Sequence, residues 1–234
     1  MGRVVLVTGG SRGIGRATAA AFASAGDTVI VASRSGESPD GLPSVAMDVA
    51  DTESVEAAFA RIEAEHGPVE VLVANAGITR DTLLMRMSDE DVDAVMQTNL
   101  VGVIRCMRRS LRGMIKAKGG RIVLVGSVVW GIGSAGQVNY AAAKAGLVGA
   151  ARSLAREVGS RGITVNVIAP GFVDTEMTEG LSEERRSEIL AQIPLGRYAS
   201  PTEIADAVVC IASPQAGYIT GAVIPVDGGL GMGH

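Results

Sequence analysis

Short apolar runs alternate with longer helical patterns from one end of the chain to the other. Seven of the runs are near-continuous in Val, Ile and Leu, which is typical of strands covered on both faces of a sheet. The predicted strands are 3–8, 28–33, 44–49, 69–76, 121–127, 163–169 and 222–228. The predicted helices lie between them, at 13–25, 52–66, 89–98, 100–117, 138–159 and 201–212.

This alternation of strand and helix predicts a parallel sheet with right-handed crossovers. We therefore expect one α/β domain over 1–234, a doubly wound Rossmann domain with a seven-stranded parallel sheet. The one long stretch with neither pattern is 171–199, which contains Pro194 and the charged run SEERRSE. In a compact domain such a stretch is typical of a mobile lid or substrate-binding loop.

Composition narrows the class of protein. The 234 residues are 47% hydrophobic with a mean hydropathy of +0.30, which indicates a well-cored globular chain. The net charge of −4 lacks the basic footprint of a nucleic-acid binder. No apolar run approaches the roughly 18 to 20 residues that span a bilayer. Because the first residues run directly into a strand pattern without a secretory signal, we expect a cytoplasmic protein without a membrane partner.

The cysteines and histidines show no pattern of metal ligands. Cys106 and Cys210 are far apart in apolar, helix-like surroundings, which predicts buried free thiols. His66 and His234 follow no metal spacing, so we assign no metal site.

A glycine-rich segment, TGGSRGIG, follows the first predicted strand and opens an alanine-rich helix. Gly9, Gly13 and Gly15 would let the backbone turn tightly and approach a pyrophosphate at the helix N-terminus. The spacing is G-x-x-x-G-x-G, not the general G-x-G-x-x-G, but strand, loop and helix follow in the order that a dinucleotide site requires.

The end of the second strand indicates which dinucleotide. NAD sites usually place an acid there, whereas this chain reads VASRSG with no carboxylate before Glu37. The Arg34 guanidinium could bind a 2′-phosphate bidentately, and Arg12 in the glycine loop could reach the same phosphate. Each arginine could instead be a solvated loop charge. Together with the missing acid, they favour NADP.

The segment NYAAAKAG places Tyr140 and Lys144 four residues apart in a strongly helix-forming run. The two side chains therefore share one helix face. Taken alone, this spacing is common and favours an ordinary surface helix.

In sum the chain resembles the short-chain dehydrogenase/reductase family over its whole length. TGGSRGIG resembles that family's cofactor loop, the pair DV its adenine contact, NAG its motif after the fourth strand, and PGFVDTEM its nicotinamide segment. The resemblance implies cofactor contacts by Gly9, Ser11, Arg12, Gly13, Ile14, Gly15, Arg34, Asp48, Val49, Asn75, Ala76, Gly77, Tyr140, Lys144, Pro170, Gly171, Val173 and Thr175. It implies four catalytic residues, Asn99, Ser127, Tyr140 and Lys144.

The resemblance also implies the role of each catalytic residue. The Lys144 ammonium would lower the pKa of Tyr140, the proton donor, from about 10. Lys144 would also bind the nicotinamide ribose. Ser127 would polarise the substrate carbonyl, and Asn99 would hold a water that resupplies protons. Taken alone, Ser127 would be a strand-end turn serine and Asn99 a helix cap.

Within the family the chain most resembles bacterial 3-oxoacyl-acyl-carrier-protein reductases, and the segments LLMRMSDEDVDAVMQTNL and GLGMGH most resemble actinobacterial members, which include mycobacterial ones. This implies NADPH-dependent reduction of 3-oxoacyl-acyl-carrier-protein to the 3-hydroxyacyl form in fatty-acid synthesis, by a homotetramer. A related ketoreductase acting on acetoacetyl-CoA, a polyketide or another small ketone is the alternative. A non-catalytic dinucleotide-binding regulator is disfavoured because all four catalytic residues are present.

Three surface features remain open between two interpretations. Lys118 and Arg161 align with basic residues near the entrance used by the acyl carrier protein, or are solvated charges. Trp130 walls an acyl pocket or packs on its loop. The remaining feature is a row of arginines on one side of a helix, which we interpret as solvated or subunit-facing rather than as a carrier-docking site: Arg105, Arg108, Arg109 and Arg112.

Overall fold

The computed structural model describes residues 2–179 and 182–232, and it contains one seven-stranded parallel sheet. The strands lie in the order β3-β2-β1-β4-β5-β6-β7. Their bounds are β1 Val4–Thr8, β2 Thr28–Ser33, β3 Ser44–Ala46, β4 Val71–Ala74, β5 Gly120–Val125, β6 Ile163–Pro170 and β7 Val223–Val226. The predicted fold class is therefore confirmed. No helix in the described ranges is long and apolar enough to cross a bilayer.

The predicted helices all form, and the structure adds shorter ones. The helices are α1 Gly13–Ser24, α2 Thr52–His66, α3 Asp89–Met96, α4 Gly102–Ala117, α5 Val129–Ile132, α6 Val138–Val158, α7 Glu176–Glu179, α8 Glu183–Leu190 and α9 Pro201–Ile211. A π-helical turn, Gln97–Val101, joins α3 to α4.

The helices cover both faces of the sheet, as the continuous apolar strands require. Successive residues of β1 point to opposite faces, so Leu6 packs in one core cluster and Val5 and Val7 in the other. The first cluster includes buried side chains of α2, α4 and α6, and the second includes those of α1 and α9.

The segment 171–199 has more regular structure than the sequence predicts. It contains α7 and α8, and Val173 forms a parallel bridge with Ala199. Ser182 caps α8 by accepting a hydrogen bond from the Arg185 N–H at 3.3 Å. The sequence pattern missed α8 because the helix buries only Ile189 and has no apolar stripe. Residues 180 and 181 of the predicted loop lie outside the described ranges, as does His234.

The predicted arginine row is not uniformly solvated. Arg109 is buried at 6% exposure and binds Glu63 through two hydrogen bonds of 2.7 and 2.6 Å. Its Nε also donates to Glu56 at 3.0 Å, and its guanidinium lies 5.3 Å from the Phe59 ring centroid. Both glutamates lie on α2, so Arg109 fixes α4 on α2. Arg108, one residue earlier, is exposed.

The prediction for the second cysteine is wrong as well. Cys106 is buried, which raises its pKa to about 12, but Cys210 is exposed. The buried stripe of α9 runs through Ile204, Val208 and Ile211, and position 210 turns away from it.

We predict that Arg109→Ala lowers the free energy of unfolding by about 3 kcal/mol, because it removes one member of a buried ion-pair network. Guanidinium denaturation measures the change. Arg108→Ala is the matched control and should change stability by less than about 0.5 kcal/mol. Equal effects of the two substitutions would show that Arg109 does not hold α4 on α2.

Candidate active site

The carboxyl ends of β1 and β4 form a junction at the centre of the sheet. The Thr8 hydroxyl accepts hydrogen bonds from the Asn75 and Ala76 N–H groups, both at 3.0 Å. The Asn75 amide nitrogen donates to the carbonyls of Thr8 and Gly9, at 3.1 and 3.0 Å. Strand order reverses at this point, which is where open α/β sheets bind ligands.

The glycine loop fits a dinucleotide. Gly9 and Gly13 have positive φ angles of 64° and 52°, and a Cβ on Gly9 would lie 2.8 Å from the Ala76 Cα. A Cβ on Gly15 would overlap the Gly9 carbonyl oxygen. The Arg12 side chain gives α1 no capping hydrogen bond in the described structure. The first N–H groups of α1 can therefore receive a pyrophosphate.

The two arginines predicted to bind a 2′-phosphate differ in their contacts. Arg34 is exposed at the end of β2 and has no ion pair within the described residues. The Arg12 guanidinium lies 3.1 Å from the Glu176 carboxylate, and both side chains are more than half exposed. Ser11 and Ile14, the other predicted loop contacts, are half-buried.

Asp48 and Val49, the predicted adenine contacts, follow the end of β3. Asp48 is exposed, and its Oδ1 accepts a hydrogen bond from the Ala50 N–H at 2.9 Å. Its second oxygen remains available to an adenine amino group. Val49 is buried, and Gly102 packs so closely on it that a Cβ there would lie 2.8 Å from the Val49 carbonyl.

Asn99 is buried in the π-helical turn, where the oxygen and the nitrogen of its side-chain amide bind the backbone of the same residue. Its oxygen accepts from the Ile78 N–H, and its nitrogen donates to the Ile78 carbonyl, each at 2.8 Å. Gly77 packs beside it, since a Cβ there would lie 3.2 Å from the Asn99 oxygen. The Asn99 side chain thus holds the segment after β4, and its role in binding a proton-relay water stays a prediction.

Three of the predicted catalytic side chains meet beyond the end of β5. Tyr140 and Lys144 lie on the same face of α6, with the Lys144 Nζ 5.5 Å from the tyrosine ring centroid. Nζ donates to the Val125 carbonyl, the last residue of β5, at 2.7 Å. Ser127 lies two residues after β5; its hydroxyl accepts a hydrogen bond from the Val129 N–H at 3.3 Å and lowers the pKa of Tyr140. Trp130 is half-buried on α5, and its backbone N–H donates a hydrogen bond to the Ser127 carbonyl at 3.2 Å.

The expectation that Lys144 lowers the pKa of Tyr140 is wrong in this structure. Burial raises the pKa of Tyr140 to about 12, while the Ser127 hydroxyl lowers it and the charge of Asp81 raises it. Burial also lowers the pKa of Lys144 to about 8. The physical reason is that the ammonium is turned to the Val125 carbonyl, so neither group offsets the other's loss of hydration.

The predicted nicotinamide segment leaves β6 beside the glycine loop. Pro170 ends β6, and Gly171 packs so closely that a Cβ would lie 2.8 Å from the Asp227 Cα. Val173 is buried, and Thr175 lies against Gly13 at the start of α1. The segment therefore lies where it can contact a cofactor held by the loop.

Lys118 and Arg161 do lie together, but not at the entrance to this site. With Ser160 and Gly162 they line a cavity of about 490 Å³. Lys118 ends α4 just before β5, and Arg161 lies just before β6, so both are at the amino edge of the sheet. The six residues of β5 span about 20 Å. Within one chain the expected entrance position is therefore wrong.

Sequence reasoning missed several residues that build the site. Thr8 anchors the central junction, and Thr178 donates to the Val173 and Thr175 carbonyls at 2.8 and 2.9 Å. Asn139 accepts a hydrogen bond from the Tyr140 N–H at 2.7 Å. The only available signals were a threonine ending a strand, threonines three residues apart, and an asparagine next to the tyrosine.

We predict that the stability of the wild type relative to Lys144→Met rises by roughly 3 kcal/mol between pH 8 and 10.5. In this range the unfolded Lys144 still binds a proton that the folded protein has released, so raising the pH favours the folded state. Urea denaturation across the pH range measures the difference. Lys116→Met, at an exposed position, is the control, and its stability difference from wild type should not change with pH. A stability difference for Lys144→Met that did not change with pH would show that folding does not lower the pKa of Lys144.

The chain is similar to known proteins over nearly its whole length. A family model described as enoyl-(acyl carrier protein) reductase matches residues 9–231. The 3-oxoacyl-[acyl-carrier-protein] reductase FabG of Vibrio cholerae is 51% identical over 99% of this chain and 98% of its own length. MabA of Mycobacterium avium, a reductase of the same name, is 51% identical over 99% and 91%. FabG of Escherichia coli is 49% identical over 99% and 98%.

These matches confirm the resemblance, including that to mycobacterial reductases. They cover the glycine loop, the strand-end asparagine and the serine, tyrosine and lysine that the fold brings together. The chain therefore belongs to the short-chain dehydrogenase/reductase family of dinucleotide-dependent oxidoreductases.

Proposed function

We propose that this protein is an NADPH-dependent reductase of 3-oxoacyl thioesters carried by an acyl carrier protein, acting in fatty-acid synthesis. The observation that carries the proposal is that α6 places Tyr140 and Lys144 on one face, with the Lys144 Nζ bound to the Val125 carbonyl at the end of β5, where Ser127 follows. The relatives that match almost the whole chain are named for this reaction.

The residues of the site suit carbonyl reduction. NADPH, when held by the glycine loop, would supply the hydride for the carbonyl carbon. The Ser127 hydroxyl orients the carbonyl oxygen, and Tyr140 gives that oxygen its proton as negative charge develops on it. With a pKa of about 12, Tyr140 is protonated at neutral pH, which is the form a proton donor needs. The Lys144 ammonium, fixed by the Val125 carbonyl, would bind the cofactor's ribose hydroxyls.

The surroundings of β2 support NADP over NAD. Arg34 is exposed at the strand end, and Ser33 before it carries no charge. The Asp40 carboxylate, in the loop after β2, is bound by the Arg16 guanidinium at 2.7 Å, so its charge is offset. The exposed Arg12–Glu176 contact is of a kind worth little, so Arg12 can exchange it for a phosphate.

The description of the matched family model raises a second candidate, enoyl reduction. That reaction places hydride and proton on two carbons of a double bond, and the thioester oxygen is protonated only transiently. A serine hydroxyl beside a protonated phenol fits a carbonyl oxygen better. The ketone is therefore the proposed substrate class.

The partner, assembly and location follow from the same resemblance. An acyl carrier protein is the proposed partner because the named relatives act on its thioesters. A docking site at Lys118 and Arg161 would need a second subunit to bring that cavity near Tyr140. The homotetramer and the cytoplasmic location stay predictions.

The first test measures NADPH consumption with an acetoacetyl carrier-protein thioester, acetoacetyl-CoA and a crotonyl thioester. We expect the highest kcat/KM on the carrier thioester and none on the crotonyl compound. Tyr140→Phe should reduce kcat by about 10²- to 10⁴-fold, the usual contribution of a general acid, with NADPH affinity retained. Turnover of the crotonyl thioester alone would assign enoyl reduction. Activity only on CoA esters or small ketones would show that the carrier protein is not the partner. Absence of all activity would favour a dinucleotide-binding protein without catalysis.

We also predict that Arg34→Asp lowers the NADPH/NADH ratio of kcat/KM by about 100-fold, because a carboxylate repels the 2′-phosphate and a charge-assisted hydrogen bond is lost. Steady-state kinetics with both cofactors measures the ratio. Arg108→Asp, at an exposed position on α4 outside the cofactor site, is the control for a change of net charge. An unchanged ratio for Arg34→Asp would place the phosphate site elsewhere.

A further inference from the structure

Arg105 belongs to the arginine row on α4, but its guanidinium is bound within the chain rather than solvated. Its Nε donates to the Thr52 hydroxyl at 3.0 Å, and its Nη2 donates to the Gln97 side-chain oxygen at 3.0 Å. Its Nη1 lies 3.4 Å from the Val49 carbonyl oxygen. One half-buried side chain thus joins three segments: the residues after β3, the start of α2 and the π-helical turn.

The first of these segments carries the predicted adenine contacts. Val49 is 6% exposed, and its carbonyl accepts no backbone hydrogen bond within the residues that the structure describes. A buried carbonyl needs a hydrogen-bond donor, and the Arg105 guanidinium supplies one. Gly102, three residues before Arg105 on α4, packs on the same carbonyl. The start of α4 therefore holds the backbone beside Asp48.

The first turn of α2 holds Asp48 as well. Thr52 begins α2, and Ser54 in the same turn accepts a hydrogen bond from the Asp48 N–H at 2.9 Å. The Asp48 carboxylate accepts from the Ala50 N–H with one oxygen, which leaves the other for an adenine amino group. Because Arg105 binds both Val49 and Thr52, it fixes the backbone on both sides of this carboxylate.

The third partner connects this segment to the part of the site that follows β4. Gln97 is the first residue of the π-helical turn, and Asn99 in the same turn binds the Ile78 backbone through both atoms of its amide. Ile78 directly follows the NAG segment, another predicted cofactor contact. All three acceptors of Arg105 are neutral oxygens, so the planar fork of the guanidinium matters more here than its charge.

We propose that Arg105 is a positioning residue for the cofactor, which fixes the adenine-binding segment 48–52 against the π-helical turn and so increases the affinity for the adenosine half of NADPH. The inference rests on the proposed function, of which it concerns only the cofactor. Without Arg105, Asn99 keeps its two bonds to Ile78, so the π-helical turn stays in place. The exposed segment around Asp48 relaxes instead. Cofactor binding therefore weakens more than turnover does.

Three substitutions separate the fork from the charge. Arg105→Ala removes every contact, whereas Arg105→Lys keeps the charge but offers one nitrogen in place of the fork. Thr52→Val removes only the acceptor on α2 and keeps the shape of the side chain. Thr52 is exposed, so this variant should fold even if the arginine variants do not. Arg108→Ala is the matched control, because it removes an exposed charge from the same helix.

Calorimetric titration of the cofactor-free protein measures affinity without turnover. The probes are NADPH and adenosine 2′,5′-bisphosphate, which share the adenosine half. We expect Arg105→Ala to raise both Kd values by about tenfold, Arg105→Lys by nearly as much, and Thr52→Val by about threefold, as hydrogen bonds made by a charged group are lost. Arg108→Ala should change them by less than about twofold. Wild-type affinity in Arg105→Lys would overturn the proposal, because charge alone would then suffice.

A double-mutant cycle tests whether Arg105 acts through Asp48. Asp48→Ala should by itself raise the Kd for NADPH by about tenfold, because the adenine amino group loses its acceptor. If Arg105 serves to place that carboxylate, Arg105→Ala should cost less than about threefold in the Asp48→Ala background. An undiminished loss in that background would show that the two residues act independently, which overturns the assignment.

Steady-state kinetics distinguishes positioning of the cofactor from a general disturbance of the site. Arg105→Ala should raise the KM for NADPH by about tenfold and leave kcat within about threefold of wild type. A fall in kcat with unchanged Kd would contradict the proposal. If the wild type reduces no ketone while the calorimetric losses appear, the proposed function fails and the Arg105 assignment stands. Unchanged Kd values in all three variants overturn the assignment whatever the substrate.

Discussion

Hydrogen bonds at the ends of β1 and β4 hold together the two halves on which the site depends. The Thr8 hydroxyl accepts hydrogen bonds from two backbone N–H groups, and the Asn75 amide nitrogen donates to two carbonyls at the start of the glycine loop. The backbone hydrogen bonds between β1 and β4 end where the two strands end, and the strand order reverses at this point. Beyond it, side chains supply the hydrogen bonds that join the two loops. The glycines beside it are required because a Cβ would collide with the same backbone.

Burial dominates the electrostatics of the catalytic side chains. Loss of hydration raises the pKa of the half-buried Tyr140 to about 12 and lowers that of the buried Lys144 to about 8. The Val125 carbonyl gives the ammonium a partner but no compensating charge. This arrangement suits an enzyme that begins its reaction with a protonated phenol.

The two edges of the sheet are chemically different. The carboxyl edge carries the glycine loop and the hydroxyls of Ser127 and Tyr140, while the amino edge carries the cavity lined by Lys118 and Arg161. A strand of six residues separates them within one chain. A carrier protein bound at Lys118 and Arg161 could deliver its acyl group to an active site only if that site belonged to a second copy of the chain. The amino edge of the first copy would then have to lie near the carboxyl edge of the second.

The sequence by itself determined the sheet and its long helices and predicted the candidate site residues, because apolar periodicity and strand-end motifs such as TGGSRGIG are local properties of the chain. Only the tertiary structure decided what depends on packing between distant segments. Arg109 is buried because two glutamates of α2 bind its guanidinium. The Asn99 amide is hydrogen-bonded to the Ile78 backbone. Helix α8 forms although its sequence has no apolar stripe. The Tyr140 pKa likewise follows from burial, which no spacing along α6 could reveal.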